Sequence, residues 1–336
     1  MLSCHTRPTD APDSLTANIV RSLKDSAVRD LAWVIGSPGL LDASYAEYGA
    51  QVVDDAWCSA QLQACMPWLS TLDNTPHTLH AHIAARPSRR LGHYFETLIS
   101  FWFSHRADAQ IIASNLQVRE TGRTLGEYDL LWRDGAGGVR HWEMAVKYYL
   151  QATPLPEQRA YIGPGARDRL DLKLDRVFGH QLGLGRTPAG LTALSNVIAL
   201  PGSIELDTAQ AFIKGYLFYP AAQLESPSAP GVSDTHLRGW WIHFSAAPLP
   251  QTAHNTGWTI LPRLRWLAPA RLEADASVMT NAELCTLLEQ HFALTSEALQ
   301  VAELQRDADG TWHECARGFV MCKTWPDIDG IKFNLE

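Results

Sequence analysis

The sequence predicts an α/β fold with a mixed central sheet flanked by helices. Strand-like and helix-like stretches alternate from residue 91 to about residue 220, which is typical of an α/β core. Helical periodicity comes before this stretch, and a mixture of strand and helix signals follows it. We therefore expect a disordered N-terminus and helical extension over residues 1–88, the core over 89–222, and an α+β region packed on the core over 223–336.

The composition is that of an ordinary soluble protein, with 336 residues, 46% hydrophobic and 19% charged. The net charge of -8 means that binding to nucleic acid would need a local basic patch. The 6 cysteines form no CxxC pair, which indicates reduced thiols in a cytoplasmic protein. There is no signal-peptide pattern and no apolar run near the roughly 18 residues of a membrane helix, so we expect no membrane association.

The extension is predicted to contain two helices. Residues 1–14 are polar and are expected to be disordered, and one helix should follow and stop at Gly36 and Pro38. A second helix is expected over about residues 55–69. The stretch "LDNTPHTLHAHIAARPSRR" resembles a linker. It carries three histidines that could hold zinc or nickel, but there is no obvious fourth ligand, so a metal role is the less favoured interpretation: His77, His80 and His82.

The core begins with a helix in "LGHYFETLISFWFSHR" and a short strand in "NLQVRE". A hairpin is expected in "GEYDLLWRDGAGGVRHWEMAVKYYL", followed by a helix in "RDRLDLKLDRVFGHQLGL". Further strands are predicted at "NVIAL" and "AFIKGYLFY". In the C-terminal region, strands are expected near "RGWWIHF" and "RGFVMCK" and a helix near "NAELCTLLEQHF".

The hairpin carries two acids that its predicted register brings together. If Asp134 to Gly138 form the turn, Arg133 pairs with Val139, and Asp129 then lies opposite Glu143. Directly opposed residues have Cβ atoms roughly 4.5–5.5 Å apart. Because the apolar residues must share one face, both acids are expected on the other. The predicted apolar face contains Tyr128, Leu130, Trp132, Trp142, Met144, Val146 and Tyr148.

Two carboxylates at this distance destabilise a sheet unless a positive charge offsets them. Lys147, which lies on the same predicted face, is one source of that charge, and a divalent metal is the other. Two oxygen donors suit magnesium or manganese, with water completing the coordination shell. A surface hairpin with ordinary ion pairs remains the alternative.

These elements resemble the PD-(D/E)XK nuclease superfamily. The resemblance rests on "GHYFETL" with Glu96, "GEYDLL" with Asp129, and "WEMAVKYYL" with Glu143 and Lys147. Nearly the whole chain also resembles an uncharacterised bacterial domain-of-unknown-function family, family 1853. "TLGEYDLL", "HWEMAVKYYL", "GPGARDRLDLKLDRV", "KGYLFYP" and "LRWLAPARL" carry this second resemblance.

The superfamily resemblance implies a restriction-endonuclease-like core that cleaves phosphodiester bonds with Mg²⁺ or Mn²⁺. It implies metal binding by Asp129 and Glu143, with Glu96 completing the coordination shell. It also implies that Lys147 assists the attacking water. A bound metal lowers the pKa of water and neutralises charge on the phosphate.

One feature departs from the superfamily pattern. Three residues, instead of one, separate Glu143 from Lys147, and Ala145 occupies the usual lysine position. Four residues of strand span roughly 13 Å, so Lys147 must lean back or a bulge must shorten the gap. Glu127, opposite Ala145 in this register, is either an extra ligand or a diagonal partner of Lys147.

Two further features have alternative interpretations. Glu96 lies on a mostly apolar helix and needs a partner, which is either a metal or a structural hydrogen bond. Arg167, Arg169 and Lys173 could bind phosphate beside the metal, or could form ion pairs with the acids on the same helix.

We therefore expect a metal-dependent nuclease or phosphodiesterase acting on nucleic acid, either DNA or RNA. The alternative is a catalytically inactive nuclease fold that binds nucleic acid or a protein partner. The opposed acids favour the enzyme, whereas the lysine spacing and the acidic net charge favour the binding module.

Overall fold

The computed structural model describes residues 15–45, 51–198, 206–244, 249–250 and 256–326. The disorder expected for residues 1–14 falls outside these ranges.

The extension begins with two short helices where one was predicted, so that prediction is wrong. Helix α1 spans Leu15–Ser22 and α2 spans Ser26–Gly36. The chain breaks between them because Asp25 caps α2, its carboxylate accepting hydrogen bonds from the amides of Ala27 at 3.0 Å and Val28 at 3.1 Å. An aspartate in this position satisfies amides that the first turn leaves free and thereby starts a new helix.

The predicted linker after the next helix also proves to be helical. Helix α3 spans Asp55–Asn74, somewhat further than expected, and α4 spans His77–Ala84. Three histidines in the α4 segment masked its apolar positions: Leu79 is fully buried in the main core, and Ile83 packs against that core. Tertiary burial of this kind stabilises a short helix that its own sequence would not maintain.

The core starts with helix α5 and a three-stranded antiparallel meander. Helix α5 spans Leu91–Ser104, as predicted. Strands β2 (Ala109–Glu120), β3 (Arg123–Asp134) and β4 (Val139–Gln151) pair in sequence order. The first of these strands is longer than "NLQVRE", and the predicted hairpin corresponds to β3 and β4.

Two helices connect the meander to a strand parallel to β4. Helices α6 (Leu170–Gly179) and α7 (Pro188–Val197) precede β6 (Thr208–Pro220). In the register of β4 and β6, Lys147 lies opposite Gly215, whose φ is 142°. A Cβ there would lie 1.7 Å from the carbonyl oxygen of Lys147, so only glycine fits.

The strand predicted at "NVIAL" is wrong for the described part of that segment. Asn196 and Val197 are the last residues of α7, and Ile198 follows the helix. The helix is favoured because Pro188 lies in its first turn and the hydroxyl of Thr187 accepts a hydrogen bond from the amide of Gly190. Together these two features favour a helix more strongly than the β-branched residues Val197 and Ile198 favour a strand.

The C-terminal region continues the core sheet. Its principal elements are β7 (Leu237–His243), β8 (Thr256–Ile260), α8 (Asn281–Leu294), β10 (Leu299–Arg306) and β11 (Trp312–Met321). The strands form an 11-stranded mixed sheet in the order β2-β3-β4-β6-β7-β11-β10-β8. Three short strands pair beside this path: β1 (Gln51–Val52), β5 (Tyr161–Ile162) and β9 (Arg271–Leu272). A mixed sheet flanked by helices confirms the predicted fold class.

Different helices cover the two faces of the sheet near the hairpin. We call the surface containing Trp132, Trp142 and Phe212 the α5 face, because it shares a buried cluster with α5. We call the surface containing Ala145 and Tyr149 the α6 face, because it packs against α6. This arrangement places the hairpin between two helices.

Two general expectations can be compared with the described part of the chain. No helix there has the length and apolarity needed to cross a membrane. The five cysteines that it contains are present as thiols and form no disulfide bond. Cys4 lies outside the described residues.

Candidate functional site

The turn between β3 and β4 has the predicted register. Arg133 pairs with Val139, and the amide of Asp134 donates to the carbonyl of Gly138 at 3.0 Å. The regular pairing continues to Leu130 and Trp142 and ends there. Moving away from the turn, the residue after Leu130 is Asp129 and the residue after Trp142 is Glu143. The two acids therefore lie where the strands stop pairing.

The carboxylate of Asp129 takes the place of the missing backbone hydrogen bond. Its Oδ2 accepts from the amide of Met144 at 2.8 Å, and the residue is only 8% exposed. The prediction that Tyr128 shares a face with Leu130 is wrong. Tyr128 packs edge-on against His141 and belongs to the cluster of Leu131, whereas Leu130 belongs to the α5-face cluster. The alternation of faces is thus interrupted at Asp129.

Glu143 is more deeply buried than Asp129 and lies against it. The residue is 1% exposed, and its carboxyl group interacts with that of Asp129. Burial raises the pKa of Glu143 well above its ordinary range, and the neighbouring Asp129 raises it further. Burial likewise raises the pKa of Asp129, although its bond with the amide of Met144 opposes the shift. The pair therefore favours sharing a proton or holding a cation.

The cation that approaches this pair is Lys173. It projects from α6, and its Nζ lies 3.5 Å from Oε1 of Glu143. Its side chain is 15% exposed, and burial lowers its pKa, an effect that the charge of Glu143 opposes. The other oxygen of Glu143, Oε2, is buried without a hydrogen-bond partner among the described residues. A cation, or a proton shared with Asp129, would satisfy that oxygen.

Lys147 occupies a neighbouring position. Its Nζ forms an ion pair with Oδ2 of Asp168 at 2.5 Å, and both side chains are partly exposed. Its positive charge contributes to lowering the pKa of Lys173, so the two lysines lie close together. The structure therefore directs Lys147 toward Asp168 and Lys173 toward the paired acids.

Glu96 approaches Asp129 from the helix on the other side of the sheet. It is partly exposed on α5, and its Oε2 lies 3.7 Å from Nδ1 of His93. Burial raises the pKa of Glu96 to about 7, with contributions from the charges of Asp129 and Glu127, and a hydrogen bond with Asn115 opposes this shift. Asp129 thus lies between Glu96 on the α5 face and Glu143 on the α6 face.

The predicted three-acid shell is only partly assembled. Among the residues that the structure describes, no group of three or more histidine, cysteine, aspartate or glutamate side chains is close enough to hold a metal ion. Asp129 and Glu143 interact with each other, and Glu96 interacts with the charges of Asp129 and Glu127. The donor set nevertheless suits magnesium, which is often bound by one or two carboxylates and several waters.

The three residues predicted to bind phosphate have separate environments. Arg167 is exposed on the loop before α6. Arg169 forms two hydrogen bonds with Asp171, at 2.6 and 2.9 Å. Lys173 points inward to Glu143. The predicted ion pair within the helix region is thus seen for Arg169, whereas Lys173 contacts Glu143 of the acid pair.

Comparison with protein families decides what kind of chain this is. The family described as "Domain of unknown function (DUF1853)" matches residues 29–321. The chain belongs to the DUF1853 family. Comparison with curated proteins and with solved structures gave no significant match. In this DUF1853 member the match covers α3 to α8 and every strand of the sheet, including both strands that carry the acids.

The position of Lys173 beside the acids was missed from the sequence of this DUF1853 protein, although a signal was present. The buried stripe of α6 contains Leu170, Leu174 and Val177. Lys173 is three residues after Leu170 and four before Val177, so helical geometry places it on the same inward stripe. A lysine on a buried stripe needs an acidic partner, because an unpaired buried charge is costly.

Proposed function

We propose that this chain is a metal-dependent nuclease or phosphodiesterase that acts on DNA or RNA, and that it is a cytoplasmic member of the PD-(D/E)XK superfamily. The observation that carries the proposal is the burial of Asp129 and Glu143 together at the point where β3 and β4 separate, with Lys173 beside them. Paired carboxyl groups with shifted pKa values and an adjacent lysine are more common at functional sites than elsewhere.

Asp129 and Glu143 would hold Mg²⁺ or Mn²⁺. The fit is supported by Oε2 of Glu143, which lacks a partner among the described residues. Glu96 is partly exposed beside Asp129, where it could contact a water of the coordination shell. When bound, the metal would neutralise charge on the phosphate and lower the pKa of water.

Lys173 is better placed than Lys147 to act on the attacking water. It contacts Glu143, and burial lowers the pKa of its ammonium group, which makes release of a proton easier than from an exposed lysine. Lys147 points to Asp168 and is partly exposed, which suits contact with the phosphate backbone. If Lys173 is the lysine that acts on the water, the long spacing between Glu143 and Lys147 no longer matters, because α6 and not β4 provides the lysine.

A second candidate function is a binding module without catalysis. The acids are 8% and 1% exposed, and Lys173 offsets part of their charge. A buried ion cluster of this kind can be purely structural. The exposed Arg167 and the partly exposed Lys147 could then bind nucleic acid while the acids only maintain the fold.

A cleavage screen distinguishes the two functions. Purified protein is incubated with single- and double-stranded DNA and RNA in the presence of Mg²⁺ or Mn²⁺, with a chelator as the control. The enzyme cleaves at least one of these substrates, and chelation stops the cleavage. The binding module retards one of them in a gel without cutting it. A chain that neither cuts nor binds any of the four is neither a nuclease nor a nucleic-acid-binding module, which leaves binding to a protein partner as the alternative.

A further inference from the structure

A second charged site lies away from the paired acids, in a cleft between α2 and the C-terminal region. The cleft has a volume of about 360 Å³. Its polar lining includes Arg29, Arg265 and Arg271, and the only acid in the lining is Asp30. A cleft of this size can hold a small organic ligand.

The arginines of this cleft are only partly neutralised. Arg271 pairs with Glu273, whose side chain is 68% exposed and therefore well solvated. Arg265 is half-exposed, and its nearest approach to Asp30 is 4.0 Å. The oxygens of Asp30 are already engaged, because Oδ1 accepts from the amide of Ala268 and Oδ2 from the hydroxyl of Tyr94. Glu314, whose charge also acts on Arg29, is bound by Arg317. Positive charge is therefore left over at the cleft.

Arg29 provides the most specific sign of a ligand. The residue is 4% exposed, and one guanidinium nitrogen donates to the carbonyl of Pro269. Its Nε is buried without a hydrogen-bond partner among the described residues. A charged donor that is buried without a hydrogen-bond acceptor destabilises the fold. Burial lowers the pKa of Arg29 to about 10, and the charges of Arg271 and Arg265 add to this effect, while Asp30 and Glu314 oppose it. A bound anion would relieve both costs.

Most of the remaining cleft wall is apolar, apart from Ser26 and Thr259. It consists mainly of aliphatic and proline side chains, including Ile260, Leu261, Pro262 and Leu272. A ligand that fills the cleft should thus combine an anionic group with a flat or apolar part. Guanidinium groups bind phosphate through paired hydrogen bonds. A nucleotide has this combination of features.

We propose that this cleft binds the phosphate group of a nucleotide, with the base against the apolar wall. The same chemistry is offered by a free nucleoside monophosphate and by the phosphorylated 5′ end of a nucleic acid strand. The site is separate from Asp129 and Glu143, and its test does not depend on cleavage.

The test measures binding of adenosine monophosphate by calorimetry to the wild type and to two variants. Arg265→Ala removes an arginine that lines the cleft and is already half-exposed, so the fold should survive. Arg263→Ala is the matched control, because Arg263 lies on the same short 3₁₀ turn, is exposed and stacks on Trp266 outside the cleft lining. Thermal melts of both variants establish that they are folded.

We expect Arg265→Ala to weaken binding roughly tenfold or more, because it removes a charge-assisted hydrogen bond. Arg263→Ala should bind as the wild type does, and adenosine without a phosphate should not bind measurably. Competition by a 5′-phosphorylated single-stranded oligonucleotide would assign the site to strand ends, and a lack of competition would assign it to free nucleotide. Absence of binding to the wild type, or equal losses in the two variants, would overturn the proposal.

Discussion

Lys173 on α6 reaches Glu143 on β4, with 3.5 Å between its Nζ and Oε1. This contact joins the helix to the strand that carries the acid, and both groups are largely buried. Removing one partner of a buried ion pair leaves the other charge uncompensated, which is more costly than the pair itself is favourable. The contact therefore affects the stability of the fold, the protonation of Glu143 and the proposed catalysis.

The first prediction compares the two lysines. Lys173→Met keeps most of the aliphatic length but removes the charge beside Glu143, so we expect a loss of roughly 3–5 kcal/mol in the free energy of unfolding at neutral pH. Lys147→Met removes a partly exposed partner of Asp168 and should cost no more than about 1 kcal/mol. Urea unfolding of both variants measures these losses.

The loss in Lys173→Met should be smaller at acidic pH, because the acid pair can then take up a proton. Equal stability of the two variants at neutral pH would show that the contact between Lys173 and Glu143 does not stabilise the fold.

The second prediction concerns the pH dependence of stability without metal. The pKa of Glu96 is raised from 4.5 to about 7 in the folded protein. A carboxyl group whose pKa is raised by folding binds its proton more tightly in the folded state. Stability consequently falls as the pH rises from 4.5 through 7. Asp129 and Glu143, whose pKa values are also raised, should act in the same direction.

Glu96→Gln cannot ionise, so it should flatten part of this decline. Unfolding midpoints at about pH 5 and about pH 7.5, in the presence of chelator, measure the effect. Parallel declines in the variant and the wild type would show that Glu96 does not contribute.

The third prediction concerns cation binding. A divalent ion that binds only the folded state stabilises it by mass action. We expect millimolar Mg²⁺ or Mn²⁺ to raise the melting temperature of the wild type, and to raise that of Lys173→Met by more, because the variant lacks the competing ammonium. Asp129→Asn should lose the response. A melting temperature that is indifferent to both ions in the wild type and in Lys173→Met would contradict metal binding.

Much of the hairpin could be predicted from its sequence, because its signals are local. The turn around Gly137, with a φ of 93°, requires glycine, and it fixes the pairing of Arg133 with Val139. The apolar alternation then places Trp132 and Trp142 on one buried face. Neither feature depends on distant parts of the chain.

The site itself depends on contacts that local patterns do not encode. The interruption at Asp129 arises because its side chain bonds to the amide of Met144 on the next strand. The pairing of Lys147 with Asp168, and of Lys173 with Glu143, depends on how α6 packs across the sheet. Periodicity alone could place Lys173 on the inward stripe of its helix, but it could not identify the acid opposite.

The most direct test of the central claim compares cleavage by Asp129→Asn and Asp175→Asn under identical conditions, with Mn²⁺ present. Both substitutions remove one negative charge, but Asp175 is exposed on α6 whereas Asp129 belongs to the acid pair. We expect Asp129→Asn to reduce the metal-dependent cleavage rate roughly a hundredfold or more, and Asp175→Asn to leave it unchanged. Equal cleavage by the wild type and both variants would contradict the assignment of Asp129 and Glu143 as the metal-binding acids.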